Sequence, residues 1–505
     1  MDTKALRQKI LDLAIRGKLV PQDPNDEPAS VLIERIRAEK LQMVKDGKLK
    51  PKDIKNDTII FKGDDNLHYE KFSDGNVKCI EDEIPFEVPE GWAWTRFLAI
   101  TINRDSERKP ISASQRTDVE KIYDYYGASG KIDKIDKYIF DEKLLLIGED
   151  GANLVTRSKP IAFFAEGKYW VNNHAHCIDS PDKSILQFIC FFINAISLEK
   201  YVTGSAQPKM TQDNMNSILV ALPPYKEQQL ISQQLDIIWV SIDKIEFEKE
   251  NVLKLVDNAK SKILDLAIRG KLVLQNPYDE PASVLIERIR VEKEELIKQG
   301  KIKRDKKESV IFKGDDNSYY QDLPENWQIT SLREITTPLT LNDGDWILSQ
   351  NMSNIGDVKL LQLGSIGNMV YIDKGFKYLT KDTFKELSCT EIFSGYLLIN
   401  RIISDKMCCC IVPNIGGTII TTVDTCWIAP SNASYDIKFL MYQLASSTFQ
   451  KEVLLRASGT TRRRISKNNL INIALLLPPL SEQKRIVEAI EKIFATLDDI
   501  ANQVE

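Results

Sequence analysis

The sequence predicts an α/β protein built twice. Two mixed α/β modules sit in a frame of long, antiparallel, coiled-coil-like helices, with a pseudo-twofold internal repeat. Three observations lead there. Residues 10–37 and 263–290 match at 25 of 28 positions. An apolar period of 3.5 residues runs through the middle of the chain for five heptads. The stretches between matched blocks, about 93–203 and 328–458, share almost nothing between copies.

The repeat gives the frame. Its echo continues in Phe61 to Asn66 against Phe312 to Asn317, and in Val88 to Trp92 against Leu323 to Trp327. It closes with Leu222 to Gln228 against Leu477 to Gln483, at an offset of 255. A unit of about 250 residues is too long for a solenoid period. At 505 residues the chain exceeds one ordinary core in any case.

The heptads give the rod. Apolar residues fall at Ile231, Leu235, Ile238, Ile242, Ile245, Val252, Val256, Ala259, Ile263 and Leu266, with Lys249 the exception. A helix of about 40 residues spans roughly 60 Å. The C-terminal end repeats its first half (Ile486, Ile490, Ile493, Leu497, Ile500, Val504) and the N-terminal end its second (Leu6, Ile10, Leu13). The two ends therefore read as a broken copy of the central helix, expected to lie against it. Prolines 24 and 28, and 277 and 281, close the first helix and open shorter ones over Ala29 to Lys40 and Ala282 to about Gln299. Lysine-rich connectors over 45–62 and 298–313 read as solvated faces.

The modules read as short strands and a buried helix each. In the first, 144–147, 161–164 and 169–171 are strand-like and 185–195 helical; in the second, 358–363, 396–399, 408–412 and 418–423 are strand-like and 440–449 helical.

Composition narrows the function. With 68 Lys+Arg against 73 Asp+Glu the net charge is -5, which excludes a uniformly basic coat but leaves room for a basic groove. No apolar run reaches membrane length, and no secretory signal is expected. Eight scattered cysteines and three histidines offer no zinc spacing, so reduced thiols and a cytoplasmic location are expected.

Three enzyme-like patterns were weighed. Asp150 with Glu166 and Lys168 has the residue types of a metal-dependent nuclease, two carboxylates for Mg²⁺ and a lysine beside the attacking water. The second module has no matching triad. Leu222-Pro223-Pro224-Tyr225 is like the loop of amino methyltransferases, yet Leu222 cannot accept from an amine, so it reads as a turn entering a helix. His174 and His176 share one side of a strand with no third ligand nearby, so they read as structural. No Walker loop or acyl-transfer triad exists. The chain reads as a non-enzyme, and it is expected to bind no cofactor or metal.

Candidate DNA contacts lie at matched places. Thr460, Thr461, Arg462, Arg463, Arg464 and Lys467 follow Ser458-Gly459, hydroxyls and guanidiniums suited to phosphates and guanine edges. In the first copy, Ser205, Gln207, Lys209 and Thr211 follow Gly204.

The whole chain resembles the specificity (S) subunit of type I restriction–modification systems. The resemblance rests on Leu-Pro-Pro-x-x-Glu-Gln entering a long helix twice, Phe163 to His176, Gly344-Asp345-Trp346, Gly395 to Arg401, Cys410 to Pro413, and the Ile-Arg-Gly-Lys-Leu-Val repeat. It implies two target-recognition domains (91–225 and 323–480), each reading half of a bipartite, asymmetric sequence in double-stranded DNA. It further implies conserved helical regions at 1–90, 226–322 and 481–505 that set the spacing. Two methyltransferase subunits would dock on these helices and ATP-dependent restriction subunits would join them, the partners using S-adenosylmethionine, ATP and Mg. Carried over residue by residue, it makes Trp92 and Trp327 module-entry positions. Glu227, Gln228, Glu482 and Gln483 become helix-entry and partner-binding positions. A free-standing nuclease around Asp150, or a protein scaffold without DNA contact, are the alternatives.

Overall fold

A computed structural model describes residues 2–117, 120–204, 207–305, 323–431, 433–460 and 462–504. The chain divides into two compact units, Met1–Phe247 and Glu248–Glu505.

Unit 1 starts with helix α1 (Thr3–Ile15), capped by the Asp2 carboxylate, which accepts from the Ala5 amide at 2.9 Å. Helix α2 (Ala29–Lys45) follows, and then an antiparallel meander of β1 (Ile59–Lys62), β2 (His68–Lys71) and β3 (Val77–Cys79). The lysine-rich stretch 45–62 is exposed or half-buried along its length, and its last four residues form β1 of the meander. The meander's inner face buries Glu70 against Arg96 at 2.7 Å, a pairing invisible in the local lysine-rich composition.

The first module enters on β4 (Ala93–Arg96) and β5 (Ile102–Asn103). Its next strands are β6 (Tyr123–Gly127), β7 (Gly130–Ile135) and β8 (Phe140–Asp141). They are followed by β9 (Leu144–Gly148), β10 (Ala162–Ala165), β11 (Lys168–Val171) and β12 (Ala175–Asp179). One sheet has the order β10-β9-β12-β5 and the other β7-β6-β11-β8, with β6 and β11 parallel. Strand β9 is buried along its whole length, as a continuous apolar run at a sheet centre must be. Helix α3 (Ile185–Ala195) lies where the apolar run predicts it and packs on α1 and β10. Strand β13 (Leu219–Leu222) returns to pair with β4 and leads into helix α4 (Tyr225–Ala267).

Unit 2 carries α5 (Ala282–Lys298), then β14 (Gln328–Ser331), β15 (Leu341–Asp343), β16 (Val358–Leu361) and β17 (Lys377–Leu379). Next come β18 (Leu397–Asn400), β19 (Ile402–Ile403), β20 (Cys409–Ile411), β21 (Thr418–Thr421) and β22 (Thr425–Ile428). Its sheets have the orders β15-β22-β18-β20 and β17-β16-β21, the latter with β16 and β21 parallel. The four-stranded sheet repeats the pairings of the first module without its sequence, and the other sheet repeats β7-β6-β11 but lacks a counterpart of β8. The expected helix over 440–449 is two helices, α6 (Ile437–Ala445) and α7 (Ser447–Arg456). Ser446 breaks them with an extended ψ of 150°, and its hydroxyl caps α7 from the Phe449 amide. Strands β23 (Arg463–Arg464) and β24 (Ala474–Leu477) precede helix α8 (Leu480–Val504), and β24 pairs with β14. The predicted second echo at Phe312 to Asn317 falls outside the described residues.

The frame repeats within each unit. Arg7 of α1 pairs with Asp243 and lies 5.2 Å over the Trp239 ring of α4. Lys260 of α4 pairs with Asp498 and lies 5.4 Å over the Phe494 ring of α8. Those residues are equivalent under the repeat, so each unit joins its frame helices by a cation in the same place, a guanidinium in one and an ammonium in the other. Along the heptad seam Ile231, Leu235, Ile242 and Val256 are buried, whereas Ile245 is exposed. Among the described residues no helix is long and apolar enough to cross a membrane.

Candidate nucleic-acid interface

Each module is closed by the same hairpin. Thr203 and Lys209 exchange backbone hydrogen bonds at 2.8 Å; Ser458 and Arg464 do so at 3.0 and 2.8 Å. Gly204 and Gly459 turn the chain at φ 84° and 105°. A Cβ there would stand 2.7 Å from the Gln207 carbonyl or 2.5 Å from that of Arg462, so both the sign of φ and the close approach demand glycine. Thr211 and Ser466 then cap short helices, accepting from Asn214 at 3.2 Å and Asn469 at 3.1 Å. Thr211, expected at the DNA, is therefore engaged in a cap.

The hairpin tips expose Gln207, Lys209, Thr460, Arg462 and Arg463. Ser205 and Thr461 lie outside the described residues. Lys209 reaches Glu149 at 3.2 Å, and its equivalent Arg464 reaches Asp424 at 3.0 Å. Arg462 touches the same Asp424 at 3.5 Å. Lys467 is half-buried and donates to the Asn342 amide oxygen at 2.7 Å. Arg463 forms no ion pair among the described residues.

Beneath the first hairpin is a buried charge cluster. His176, 1% exposed, has Nδ1 at 2.6 Å from Asp105 and Nε2 at 3.0 Å from the Met210 carbonyl. Arg108 bridges Glu149 at 2.7 Å and Asp105 at 3.2 Å. Burial would raise both acids, but the His176 bond, for Asp105, and the Arg108 bond, for Glu149, hold each below the usual carboxylate range. Asp105, Glu149 and His176 have metal-ligating types within 4.8 Å of one another, a grouping the sequence did not show. Arg108 already supplies the cation there, and both His176 nitrogens are engaged. Asp150 is bonded to His174 at 2.7 Å and Lys168 lies 4.0 Å from Asp141, so the nuclease triad with Glu166 is not assembled.

Glu227, Gln228, Glu482 and Gln483 need correction as partner-binding residues. All four are 3% exposed or less. Glu227 accepts from the Trp92 indole at 2.9 Å and Gln22 at 3.1 Å; Glu482 accepts from Trp327 at 3.0 Å and Gln275 at 2.7 Å. Gln228 and Gln483 donate to the Pro223 and Pro478 carbonyls at 2.8 and 2.9 Å. They lock module to frame. Burial pushes both glutamates above the usual carboxylate range. The signal for this lock was present in the sequence, because Trp92 and Trp327 repeat together with the Glu-Gln pairs.

The family described as "type I restriction modification DNA specificity domain" matches residues 100–255 and 295–505. The chain belongs to that family. The specificity subunit of the Escherichia coli type I restriction enzyme EcoEI is 26% identical over 99% of this chain and 91% of its own length. That of EcoAI, also from Escherichia coli, is 28% identical over 98% and 90%. The crystal structure of the HsdS subunit from Thermoanaerobacter tengcongensis aligns with a TM-score of 0.39 at 15% identity, over 83% of this chain and 93% of that one. As a specificity subunit, the chain reads the DNA target and works with methyltransferase subunits; it supplies recognition and no catalysis of its own.

Proposed function

We propose that each module reads one half of a split, asymmetric duplex sequence and that the frame helices set the gap. The modules are taken as 91–225 and 323–480, on helical regions 1–90, 226–322 and 481–505. One observation carries this reading. The two hairpins share backbone, turn glycine and cation position, yet one tip offers Gln207 and Lys209 and the other Arg462 and Arg463. Equal scaffolds with unequal side chains read unequal sequences.

Two methyltransferase subunits dock on the frame, with ATP-dependent restriction subunits joining them, and the helices related by the repeat act as a pseudo-twofold coiled coil. With the Glu-Gln pairs buried, the outward face of α4 is the docking surface. Leu230, Ile237, Val240 and Phe247 form an exposed apolar stripe at spacings of seven, three and seven. Methylome sequencing of cells carrying this chain and its methyltransferase tests the reading. A two-part motif with unlike halves is expected; a contiguous or palindromic motif overturns it.

A further inference from the structure

The second module has an open cleft of about 680 Å³ beside its hairpin. Arg462, Arg464, Trp346, Leu348, Gln362 and Thr422 all line it. Trp346 is 70% exposed, an unusual position for the largest apolar side chain. The backbone leading to it is pinned. The Asp345 amide donates to the Thr421 carbonyl at 2.8 Å, and the Asp345 carboxylate accepts from the Thr390 amide at 2.8 Å. At Gly344 a Cβ would stand 2.4 Å from the Thr422 carbonyl, so only glycine lets this segment lie so close.

Gln362 follows β16, where that strand turns away. Its carbonyl accepts from Ser365, while its exposed side-chain amide has no partner among the described residues. Asp424 pairs with Arg462 and Arg464 without cancelling both charges, since one carboxylate faces two guanidiniums. Paired cations, an unpartnered amide and an exposed indole on a pinned backbone therefore share one concave surface beside the hairpin. A polyanion with planar, edge-polar groups matches all three; an acidic protein surface would leave the amide and indole without purpose.

We propose that this cleft is the base-reading surface of the second module, with Gln362 paired to an adenine edge and Trp346 packed on the neighbouring sugar and base-methyl surface. The inference rests on the modules being DNA readers and names the residues that decide the second half-site. Gln pairs with adenine through N6 and N7 because it offers one donor and one acceptor side by side. Glutamate offers acceptors alone and suits the cytosine amino group instead.

The test uses the complete chain with its methyltransferase partner. Methylomes are compared for the unaltered complex, Gln362→Ala, Gln362→Glu, Trp346→Ala and Trp346→Phe. Duplexes carrying the unaltered complex's motif, changed one half-site at a time, then serve as binding probes. Gln362→Ala is expected to relax one adenine position in one half-site, lowering discrimination there by about 5- to 150-fold. Gln362→Glu should move preference at that position toward cytosine. Trp346→Ala should weaken the same half-site at least tenfold, and Trp346→Phe should recover most of the loss. The other half-site stays as it was in all four, which also reports that the complex is folded. A split motif left unchanged by all four variants overturns this inference while sparing the function proposed above. Loss of methyltransferase binding by Trp346→Ala with an unchanged motif overturns it too. Failure of the unaltered complex to show a split motif would strike the function itself.

Discussion

The two modules place the same backbone bond over opposite charges. In the first, the Met210 amide donates to the Glu149 carbonyl at 2.8 Å; in the second, Ile465 donates to the Arg401 carbonyl at 3.0 Å. Glu149 faces Arg108, His176 and Lys209. Arg401, 4% exposed, faces Asp343 at 3.2 Å and the Ile465 and Val423 carbonyls. The main chain seats the hairpin, and the side chain below it is free to change sign if its partners change with it. That freedom explains how near-identical topologies carry unrelated sequences: the strand pairings specify alternation and burial, which many apolar sets satisfy.

Breaking one cluster should leave the other intact, and this is the largest expected effect. Arg401→Met removes the buried guanidinium from the Val423 and Ile465 carbonyls and leaves the half-buried Asp343 only Lys467 at 3.7 Å, at about 1–3 kcal/mol for the unmade hydrogen bonds. Hydrogen exchange should rise across 397–465 and remain unchanged across 144–210. Equal loss of protection in both modules would show that they do not fold as separate inserts.

The frames, unlike the modules, should respond alike. Glu227→Ala and Glu482→Ala each leave a buried indole N–H without an acceptor, at about 1–3 kcal/mol apiece, while Gln22 and Gln275 keep the Gly17 and Gly270 carbonyls. Both glutamates have folded pKa values above their ordinary 4.5. The folded state therefore holds these protons more tightly, and its stability falls as pH rises from 4.5 through the folded values. Urea midpoints measured from pH 4 upward should show this decline, reduced by a similar amount in each variant. A frame lock in only one unit would appear as a difference between the two.

The repeat is less equal on its outer face. Leu230, Ile237, Val240 and Phe247 correspond to Arg485, Lys492, Ala495 and Asn502 of α8, so an apolar stripe has a polar counterpart. Ile237→Asp should weaken one methyltransferase subunit by roughly tenfold, consistent with about 1.5 kcal/mol for a buried aliphatic side chain. Lys492→Asp should have a much smaller effect. Native mass measurement of the complexes distinguishes the two; equal losses would mean that the stripe is not the docking face.

Much of the frame was legible because it depends on local repetition: near-identical blocks, heptad spacing and the paired Trp and Glu-Gln positions. The strands of β9 and β18 were legible as continuous apolar runs. What escaped depends on distant partners. Lys467 meets the Asn342 side chain, a partner 125 residues away that no local pattern announces. The meander of β1–β3 is hidden because a sheet with one face exposed has polar composition. Asp105 and Arg108 share one segment, but Glu149 and His176 lie in two others, so no spacing rule joins the four.

The smallest expected effect separates the arginines of the second hairpin. Arg464 is held on Asp424, and Arg462 shares that carboxylate at 3.5 Å, whereas Arg463 stands exposed in β23 opposite Ile403. Successive residues of a strand point to opposite faces, so Arg463 leaves the side on which its neighbours line the cleft. It is thus the phosphate partner of the three. Arg463→Ala should weaken cognate and altered DNAs alike and lower the salt slope by about one ion. Arg462→Ala, in contrast, should cost about 1–3 kcal/mol on the cognate second half-site alone. Competition binding of the assembled complex at several salt concentrations measures both. A sequence-dependent loss for Arg463→Ala would place it among the base readers, and the strand geometry would then be the wrong guide to which face meets the duplex.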